Sequence, residues 1–172
     1  KAIILKKPSG TIAVAGNLTK TQRKFYNGFL YVAKKTLERD VNVHWFEVDL
    51  AELEQFLNVQ EQDKNNATFR EIIKELTEIK VEYNILNKDS KIEGYAHLLD
   101  NIQFKTDFET SRVYIKYSIP FVVREAMIDK NYMYASIDLI VIKGLTSKYS
   151  ILAYELAKDY ENVEIPLMTI SE

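Results

Sequence analysis

The sequence predicts an α+β domain, and three patterns support this class. Apolar residues recur at helical spacing behind residues that typically cap helices. Short stretches of aromatic and β-branched residues, bounded by polar turns, lie between and after these helices. The chain has 172 residues, of which 47% are hydrophobic. That length suits one domain with a core of its own.

The first predicted helix has the clearest start. Thr19 and Gln22 form a T-x-x-Q capping box, in which each side chain accepts a hydrogen bond from the backbone N–H of the other residue. An apolar stripe follows at helical spacing, and the helix is predicted to end near Asp40. The stripe consists of Phe25, Phe29, Val32 and Ala33.

Two further helices are predicted behind capping residues. Asp49 precedes a short Leu-rich helix, and the polar stretch at residues 58–66 is predicted to be a loop. Thr68, with Glu71 three residues later, is predicted to cap a third helix over residues 67–80. The apolar stripe of this third helix is Phe69, Ile72, Ile73, Leu76 and Ile79.

The strands are predicted from composition and alternation. Residues 44–48 and 81–86 are aromatic or β-branched. Residues 92–105 and 112–118 are strand-rich on either side of a polar turn, which Asp107 favours. Within the second of these stretches, one face of the sheet is expected to carry Val113, Ile115 and Tyr117.

The C-terminal part of the chain is predicted to be helical. Ser118 and Pro120 begin a helix that runs to about residue 129, because proline suits the first turn of a helix. Residues 137–142 form a short apolar run that is interpreted as helix, and a last helix is predicted from Ser147.

Charge is unevenly distributed along the chain, although the net charge is only −2. Residues 1–40 carry a balance of +7, whereas residues 41–63 carry −6 and residues 150–172 carry −4. Residues 64–80 balance at +1. This distribution indicates either charges scattered over a solvated surface or one face that meets an anionic partner.

Several function classes find no support in the composition. The chain has no cysteine, which excludes a disulfide framework, a thiolate metal site and a cysteine nucleophile. His44 and His97 lie far apart without metal-ligand spacing, and the five glycines form no phosphate-binding loop. No apolar run approaches the ~20 residues needed to span a bilayer. We therefore expect no enzymatic activity, catalytic residue, metal, cofactor or membrane contact.

The order of the predicted elements indicates a winged helix. Residues 49–58 and 67–80 form a helix-turn-helix pair behind a strand, and residues 81–105 follow as the β-hairpin wing. The third helix then takes the position of the recognition helix. Arg70 and Lys74 recur at i and i+4 on the side opposite its apolar stripe.

The predicted DNA contacts surround this third helix. Basic side chains attract phosphate, and backbone N–H groups at a helix N-terminus can bind it. The predicted contact residues are Lys64, Asn66, Thr68, Arg70 and Lys74, with Lys148 in the last helix as a further candidate. The eleven tyrosines are spread over several elements, which favours positions at core edges over a stacking surface for single strands.

Two observations favour a purely structural role for the third helix instead. Glu71, Glu75 and Glu78 on the same helix repel phosphate. The linker before the helix is also longer than the ~3–4-residue turn of a plain helix-turn-helix. Under this alternative, the charged residues form an ordinary solvated helix surface.

Four stretches resemble the plasmid replication initiator (Rep) family, whose members bind iterons, the repeated sites of a plasmid origin. Residues 18–24 (LTKTQRK) are similar to the family's opening L-T-x-x-Q-x-K helix, and residues 45–48 (WFEV) to its aromatic strand before a Leu-rich helix. Residues 69–76 (FREIIKEL) resemble the helix before the wing. The most specific stretch is 145–156 (LTSKYSILAYEL), which is similar to l-k-S-K-Y-a-i-r-L-Y-E-L: SKY and YEL match in register, with Thr146 for the usual basic residue and Ala153 for the usual Leu.

The resemblance implies a two-domain protein with tandem winged helices, of which this chain corresponds to the first. Residues 1–164 are expected to form that N-terminal domain, which dimerises and contacts the DNA backbone. Residues 165–172 are expected to begin a truncated second domain, because Thr169 and Glu172 form a capping box with no helix behind it. The implied function is initiation of plasmid DNA replication at iterons, with dimerisation and autoregulation.

The expected partners are double-stranded DNA of the plasmid origin, a second copy of the chain and host replication proteins, in the bacterial cytoplasm. Residues 92–118 offer either a dimer surface near Ile102 and Tyr114, where an edge strand pairs with its copy, or a sheet face packed within one subunit. Two other functions stay open on the residues alone. One is a winged-helix transcription regulator, and the other is a protein-interaction domain without DNA contact, which the pI of 5.8 favours.

Overall fold

The computed structural model combines helices with antiparallel strands, which confirms the α+β class. The structure describes residues 4–8, 18–58, 66–86, 91–128 and 134–138. The helices are α1 (Lys20–Arg39), α2 (Leu50–Leu57), α3 (Asn66–Glu75) and α4 (Phe121–Ile128). The strands are β1 (Ile4–Pro8), β2 (Phe46–Asp49), β3 (Lys80–Leu86), β4 (Lys91–His97), β5 (Asn101–Thr106), β6 (Val113–Ser118) and β7 (Tyr134–Asp138).

The strands of the described residues form three antiparallel sheets. β1 pairs with β7, β3 pairs with β4, and the third sheet has the order β2-β6-β5. In this third sheet Tyr117 of β6 lies opposite Phe46 of β2 and Ile102 of β5. The pairing places an aromatic residue at the centre of the face that packs on α1.

The core is built around α1, whose start follows the predicted capping box. Thr19 Oγ1 accepts a hydrogen bond from the Gln22 backbone N at 3.2 Å, and Gln22 Oε1 accepts one from the Thr19 backbone N at 3.1 Å. The helix ends at Arg39, with Asp40 as its C-cap. Every residue from 22 to 30 is buried, so this half of the helix is enclosed on all sides.

An aromatic cluster joins α1 to the sheet. The ring centroid of Tyr117 lies 4.7 Å from that of Phe29 and 5.6 Å from that of Phe46. The Tyr117 hydroxyl also donates a hydrogen bond to the Phe29 carbonyl. Burial raises the pKa of Tyr117 well above its usual value, so the hydroxyl keeps the proton that it donates.

Gly28 allows α2 to approach α1 closely. A Cβ at this position would lie 2.7 Å from Leu53 Cδ1 and 3.3 Å from Leu57 Cδ1. Both leucines are buried, at 2% exposure each. The lack of a side chain at Gly28 therefore sets how tightly the two helices pack.

Of the two predicted helix caps after α1, one is confirmed and one is wrong. Asp49 caps α2, because its Oδ1 accepts hydrogen bonds from the backbone N atoms of Ala51 and Glu52 at 2.9 and 3.3 Å. Thr68 does not cap α3. That helix already begins at Asn66, so Thr68 lies in its first turn.

α3 ends at Glu75, whereas the sequence predicts a helix to residue 80. The next residues form a tight turn, and its carbonyls are taken by the chain between β4 and β5. The Leu99 backbone N donates to the Leu76 carbonyl and the Leu98 backbone N to the Ile79 carbonyl, both at 3.2 Å. A helix that ran to residue 80 would need the Leu76 carbonyl for its own hydrogen bond from the backbone N of Lys80.

The sequence predicts one β-hairpin, the wing, over residues 81–105. This prediction is wrong, because these residues are divided between two sheets. β3 and β4 form one hairpin, whereas β5 leaves it and pairs with β6. Leu98 and Leu99 stand at the break and are buried at 1% and 0% exposure. Burying these two leucines in the core turns the chain from one sheet to the other.

The helix predicted for residues 137–142 is wrong where the structure describes it. Ile137 and Asp138 belong to β7, in which they pair with Leu5 and Ile4 of β1. A short apolar run fits either a strand or a buried helix by periodicity alone. Residues 139–142, the last predicted helix from Ser147 and the expected domain start at 165–172 lie outside the described residues.

Candidate nucleic-acid interface

α3, the predicted DNA-contact helix, is held against the core by its apolar stripe. Phe69 and Ile73 are fully buried, and the Phe69 ring meets the Phe25 ring edge-on at 5.5 Å between centroids. At the other end of the helix, Gln22 Nε2 donates a hydrogen bond to Glu75 Oε2 at 2.6 Å. Packing and this bond together determine which side of α3 faces outward.

The outward side of α3 presents the two predicted cations. The Arg70 guanidinium lies 5.3 Å from the centroid of the Phe104 ring on β5. Lys74 Nζ lies 3.8 Å from Glu71 Oε2, and the two side chains are 58% and 68% exposed. Arg70 is therefore braced by the neighbouring strand, while Lys74 forms a solvated pair that an anionic ligand can replace.

The structure describes two of the four remaining predicted contact residues. Asn66 is the first residue of α3, and Thr68 lies in the same first turn. The structure thus puts Asn66 and Thr68 on one helix with the two cations. Lys64 and Lys148 lie outside the described residues.

The surface around α3 is not basic. Between Asn66 and Ile79 two bases stand against three acids. The +7 balance of residues 1–40 also overstates the surface charge, because Arg23 and Lys24 are only 0% and 6% exposed. The positive N-terminal third therefore contributes less to an anion-binding face than its sequence indicates.

A more basic surface lies on the outer face of the β2-β6-β5 sheet, and reasoning from the sequence missed it. Ile115 and Tyr117 are fully buried on the inner face, so Tyr114 and Lys116 lie on the outer one. Lys105 of β5 is directly opposite Tyr114. The alternation within β6 is visible in the sequence, but the strands that flank β6 are not.

Arg112 and Trp45 extend this outer face. Arg112 Nη1 lies 3.4 Å from Asp49 Oδ2, and the Arg112 side chain is 58% exposed. A hydrogen bond to the Tyr114 side chain, and then the charge of Asp49, raise the pKa of Arg112. Trp45 is 39% exposed, with Lys116 Nζ 5.3 Å from its ring centroid.

The tip of the β5–β6 hairpin is the polar turn that Asp107 predicts. Asp107 Oδ1 accepts hydrogen bonds from the backbone N atoms of Glu109 and Thr110 at 2.9 and 3.1 Å. The Asp107 backbone N donates to the Arg112 carbonyl at 2.8 Å. These bonds hold the turn in one conformation, with Phe108 at its apex 95% exposed.

We expect the Asp107 carboxyl to titrate below its ordinary value of 3.8. Hydrogen bonds from the backbone of Thr110, and then of Glu109, stabilise the carboxylate and lower its pKa. Because the folded pKa is depressed, the contribution of this carboxylate to folding stability is present above its ordinary, unfolded pKa and is lost as the pH falls through the folded pKa. A ¹³C carboxyl NMR titration measures this midpoint, and a midpoint at or above 3.8 contradicts the expectation.

Two other kinds of site are absent from the part of the chain that the structure describes. No group of three or more His, Cys, Asp or Glu side chains there could hold a metal ion. Among the helices of the same residues, none combines the length and the hydropathy required to cross a membrane.

Comparison with protein families gives a match along most of the chain. A family model described as initiator replication protein, WH1, matches residues 4–158. The chain belongs to this family. The match confirms the resemblance to replication initiators, and the four stretches that carry the resemblance all lie inside the matched range. A search of curated proteins finds no match for the chain.

In this replication initiator, three of the four family-like stretches belong to elements that meet in the core. Residues 18–24 begin α1, residues 45–48 cover the start of β2, and residues 69–76 cover most of α3. α1 contacts α3 through the Phe25 and Phe69 rings and contacts β2 through the aromatic cluster. The fourth stretch lies outside the described residues.

Proposed function

We propose that this initiator domain binds double-stranded DNA at the iterons of a plasmid origin, with α3 against the phosphate backbone. The family match over residues 4–158 is the observation that carries the proposal. The domain acts in the bacterial cytoplasm, with host replication proteins as further partners, and catalyses no reaction itself. Its share of the interface positions the protein, because phosphate contacts carry affinity and register rather than sequence information.

The arrangement of α3 supports a backbone contact. Asn66 and Thr68 lie in the first turn of a ten-residue helix, where free N–H groups and the helix dipole favour phosphate. Lys74 is exposed, and Arg70 is ordered by Phe104 before any ligand binds, so its guanidinium loses little freedom on binding. We include Lys64 and Lys148 as further contacts on the same grounds of charge.

The modest charge of α3 fits a small share of a larger interface. Two bases against three acids attract phosphate weakly, so α3 alone supplies little of the affinity. We propose that other surfaces of the initiator supply the base contacts and most of the phosphate attraction.

We propose the β5–β6 hairpin, rather than β3–β4, as the wing of this winged helix. β5–β6 shares its sheet with β2, the strand that leads into the helix pair. It also contacts α3, through Phe104 under Arg70. A hairpin joined to both elements lies beside α3, with its tip at residues 107–112.

Changing Arg70 and Lys74 to Ala together is expected to weaken binding equally for iteron and unrelated duplexes. Each lost phosphate contact removes about 0.9 from the slope of log K against log salt, so the slope should flatten by about one or two units. Fluorescence anisotropy of labelled duplexes between about 50 and 200 mM salt measures the slope for the full chain.

Lys35→Ala with Arg39→Ala is the matched control for this experiment, because it removes two cations from exposed positions on α1. Lys35 Nζ lies 3.6 Å from Glu38 Oε2, and both side chains are about half exposed, so the pair on α1 copies the Lys74–Glu71 pair on α3. An unchanged slope in the double variant removes α3 from the interface. A full chain that binds no duplex at all supports the alternative of a protein-interaction domain.

We also propose that the domain dimerises, in a form suited to autoregulation at an inverted repeat. β5 is an edge strand of its sheet and carries the half-buried Ile102, while Tyr114 lies on the central strand. Pairing of β5 with its copy must accommodate Lys105, a residue type that discourages edge pairing. Sedimentation of the full chain over a range of concentrations is expected to show a dimer, and a strict monomer at high concentration contradicts it.

A further inference from the structure

We infer that the outer face of the β2-β6-β5 sheet is a second nucleic-acid surface of this domain and that it binds single-stranded DNA. This outer sheet face is defined by Trp45, Lys105, Arg112, Tyr114 and Lys116. It is separate from the outward side of α3, so the inference does not rest on the proposed duplex binding.

Register and contact distances bring these five residues together. Tyr114 and Lys116 flank the fully buried Ile115, so both point away from the core. Lys105 lies opposite Tyr114 across the β5–β6 pair, where Cβ atoms are about 4.5–5.5 Å apart. Lys116 Nζ lies 5.3 Å from the Trp45 ring centroid, and Arg112 comes two residues before Tyr114, on the same side of the chain. Three cations therefore adjoin two aromatic rings on one face.

The charge of this face favours an anion. Its acids are Glu47, which lies opposite Lys116, Asp49, and Glu52, whose charge acts on Arg112. Asp49 is only 6% exposed, because it caps α2 and pairs with Arg112. Lys105, Arg112 and Lys116 are exposed, so at the surface three cations stand against the two exposed carboxylates of Glu47 and Glu52.

The aromatic rings distinguish a single strand from a duplex. Bases of a single strand are free to stack on exposed rings, whereas bases inside a duplex are already stacked on each other. Trp45 is 39% exposed and Tyr114 is half-buried, so both rings offer surface beside the cations. Asn101 and Gln103 are exposed on the same face, and their amides can bond to the edges of unpaired bases.

Trp45 is the single tryptophan of the chain, so its fluorescence reports directly on this face. We expect an oligothymidine of about 20 nucleotides, longer than a typical ~4–16-nucleotide site, to quench Trp45 emission of the full chain. A duplex of the same length and unrelated sequence is expected to leave the emission unchanged. Absence of quenching by the oligothymidine overturns the inference.

Charge variants test the cations, with a labelled oligothymidine followed by anisotropy. Lys105→Gln with Lys116→Gln removes two contacts and should flatten the salt slope by about 1.4 units, at about 0.7 for each contact to a single strand. Lys35→Gln with Arg39→Gln is the matched control, because it removes the same charge from exposed positions on α1. An equal slope in both double variants overturns the inference.

A ring variant tests stacking. Trp45→Leu keeps an apolar side chain but removes the ring, and we expect a loss of about tenfold in affinity for the oligothymidine. Unchanged affinity for the oligothymidine overturns the inference. A loss of affinity for the duplex alone also overturns it, because that result assigns the face to the duplex interface. The variant with Arg70→Ala and Lys74→Ala is expected to keep its affinity for the oligothymidine. Duplex binding therefore tests α3, and oligothymidine binding tests the outer sheet face.

Discussion

Phe29→Ala is expected to lower the free energy of unfolding by about 3–5 kcal/mol, because it opens a cavity where α1 meets the sheet. Phe29 is fully buried, with its ring 4.7 Å from that of Tyr117 and 6.3 Å from that of Phe25, between centroids. Its neighbours come from two elements that hold each other in place, so they cannot close over the space without moving α1. The substitution removes both the transfer of the ring from water and its packing.

Phe108→Ala is the matched control, since it makes the same chemical change at a residue that is 95% exposed. We expect its unfolding free energy to stay within about 0.5 kcal/mol of the parent. For a chain of this length the Phe29 variant should lose about 6–20 °C in melting temperature. Urea and thermal unfolding followed by circular dichroism measure both variants. Similar losses in the two would show that α1 does not carry the core.

Features that depend on neighbours in sequence are predictable here. The Thr19 capping box, the Asp49 cap and the Asp107 turn each join atoms no more than three residues apart. Such bonds form as soon as the local backbone turns, so residue type and spacing determine them. The same holds for the outward placement of Arg70 and Lys74, because helical spacing separates them from the buried Phe69 and Ile73.

Features that depend on pairing between distant segments are not predictable from one sequence. Ile137 joins a strand because β1, at the other end of the described chain, supplies its partner. The stretch at residues 92–105 contains strand patterns throughout, and only the burial of Leu98 and Leu99 divides it between two sheets. Period-two alternation shows which residues share a face of one strand, but it does not identify the neighbouring strand.

The two candidate sites also differ in whether they depend on neighbours in sequence or on pairing between distant segments. Spacing along one helix brings the α3 cations together, so the sequence contains the needed information. The outer sheet face joins Trp45 to Lys116 and Lys105 to Tyr114 across two strand pairs, so it depends on the register of a three-stranded sheet. The net charge of residues 1–40, summed from the sequence, overestimates their surface charge, because it includes Arg23 and Lys24, which are both buried.

Arg124→Met is expected to lower the free energy of unfolding by about 2–4 kcal/mol, because each hydrogen bond from a charged donor contributes about 1.5–3 kcal/mol. Arg124 is 7% exposed on α4, and its guanidinium donates hydrogen bonds to the carbonyls of Val41 and Val43, between α1 and β2. Met preserves the apolar stem but leaves both carbonyls without this donor. α4 has only eight residues, so it depends on such tertiary contacts for its position.

Two further variants distinguish the effect of the two guanidinium donors of Arg124 from the effect of its charge. Arg124→Lys keeps the charge but has one donor group, so it should recover part of the loss and not all of it. Arg39→Met makes the same change at an exposed residue in the last turn of α1, where about 0.3–1 kcal/mol is expected from the helix dipole. Equilibrium unfolding in urea compares the three variants. If Arg124→Met lowers the free energy of unfolding no more than Arg39→Met does, the two carbonyls find other donors. α4 is then held in place by its apolar contacts and by the hydrogen bond from Lys34 Nζ to the Met127 carbonyl at 2.7 Å.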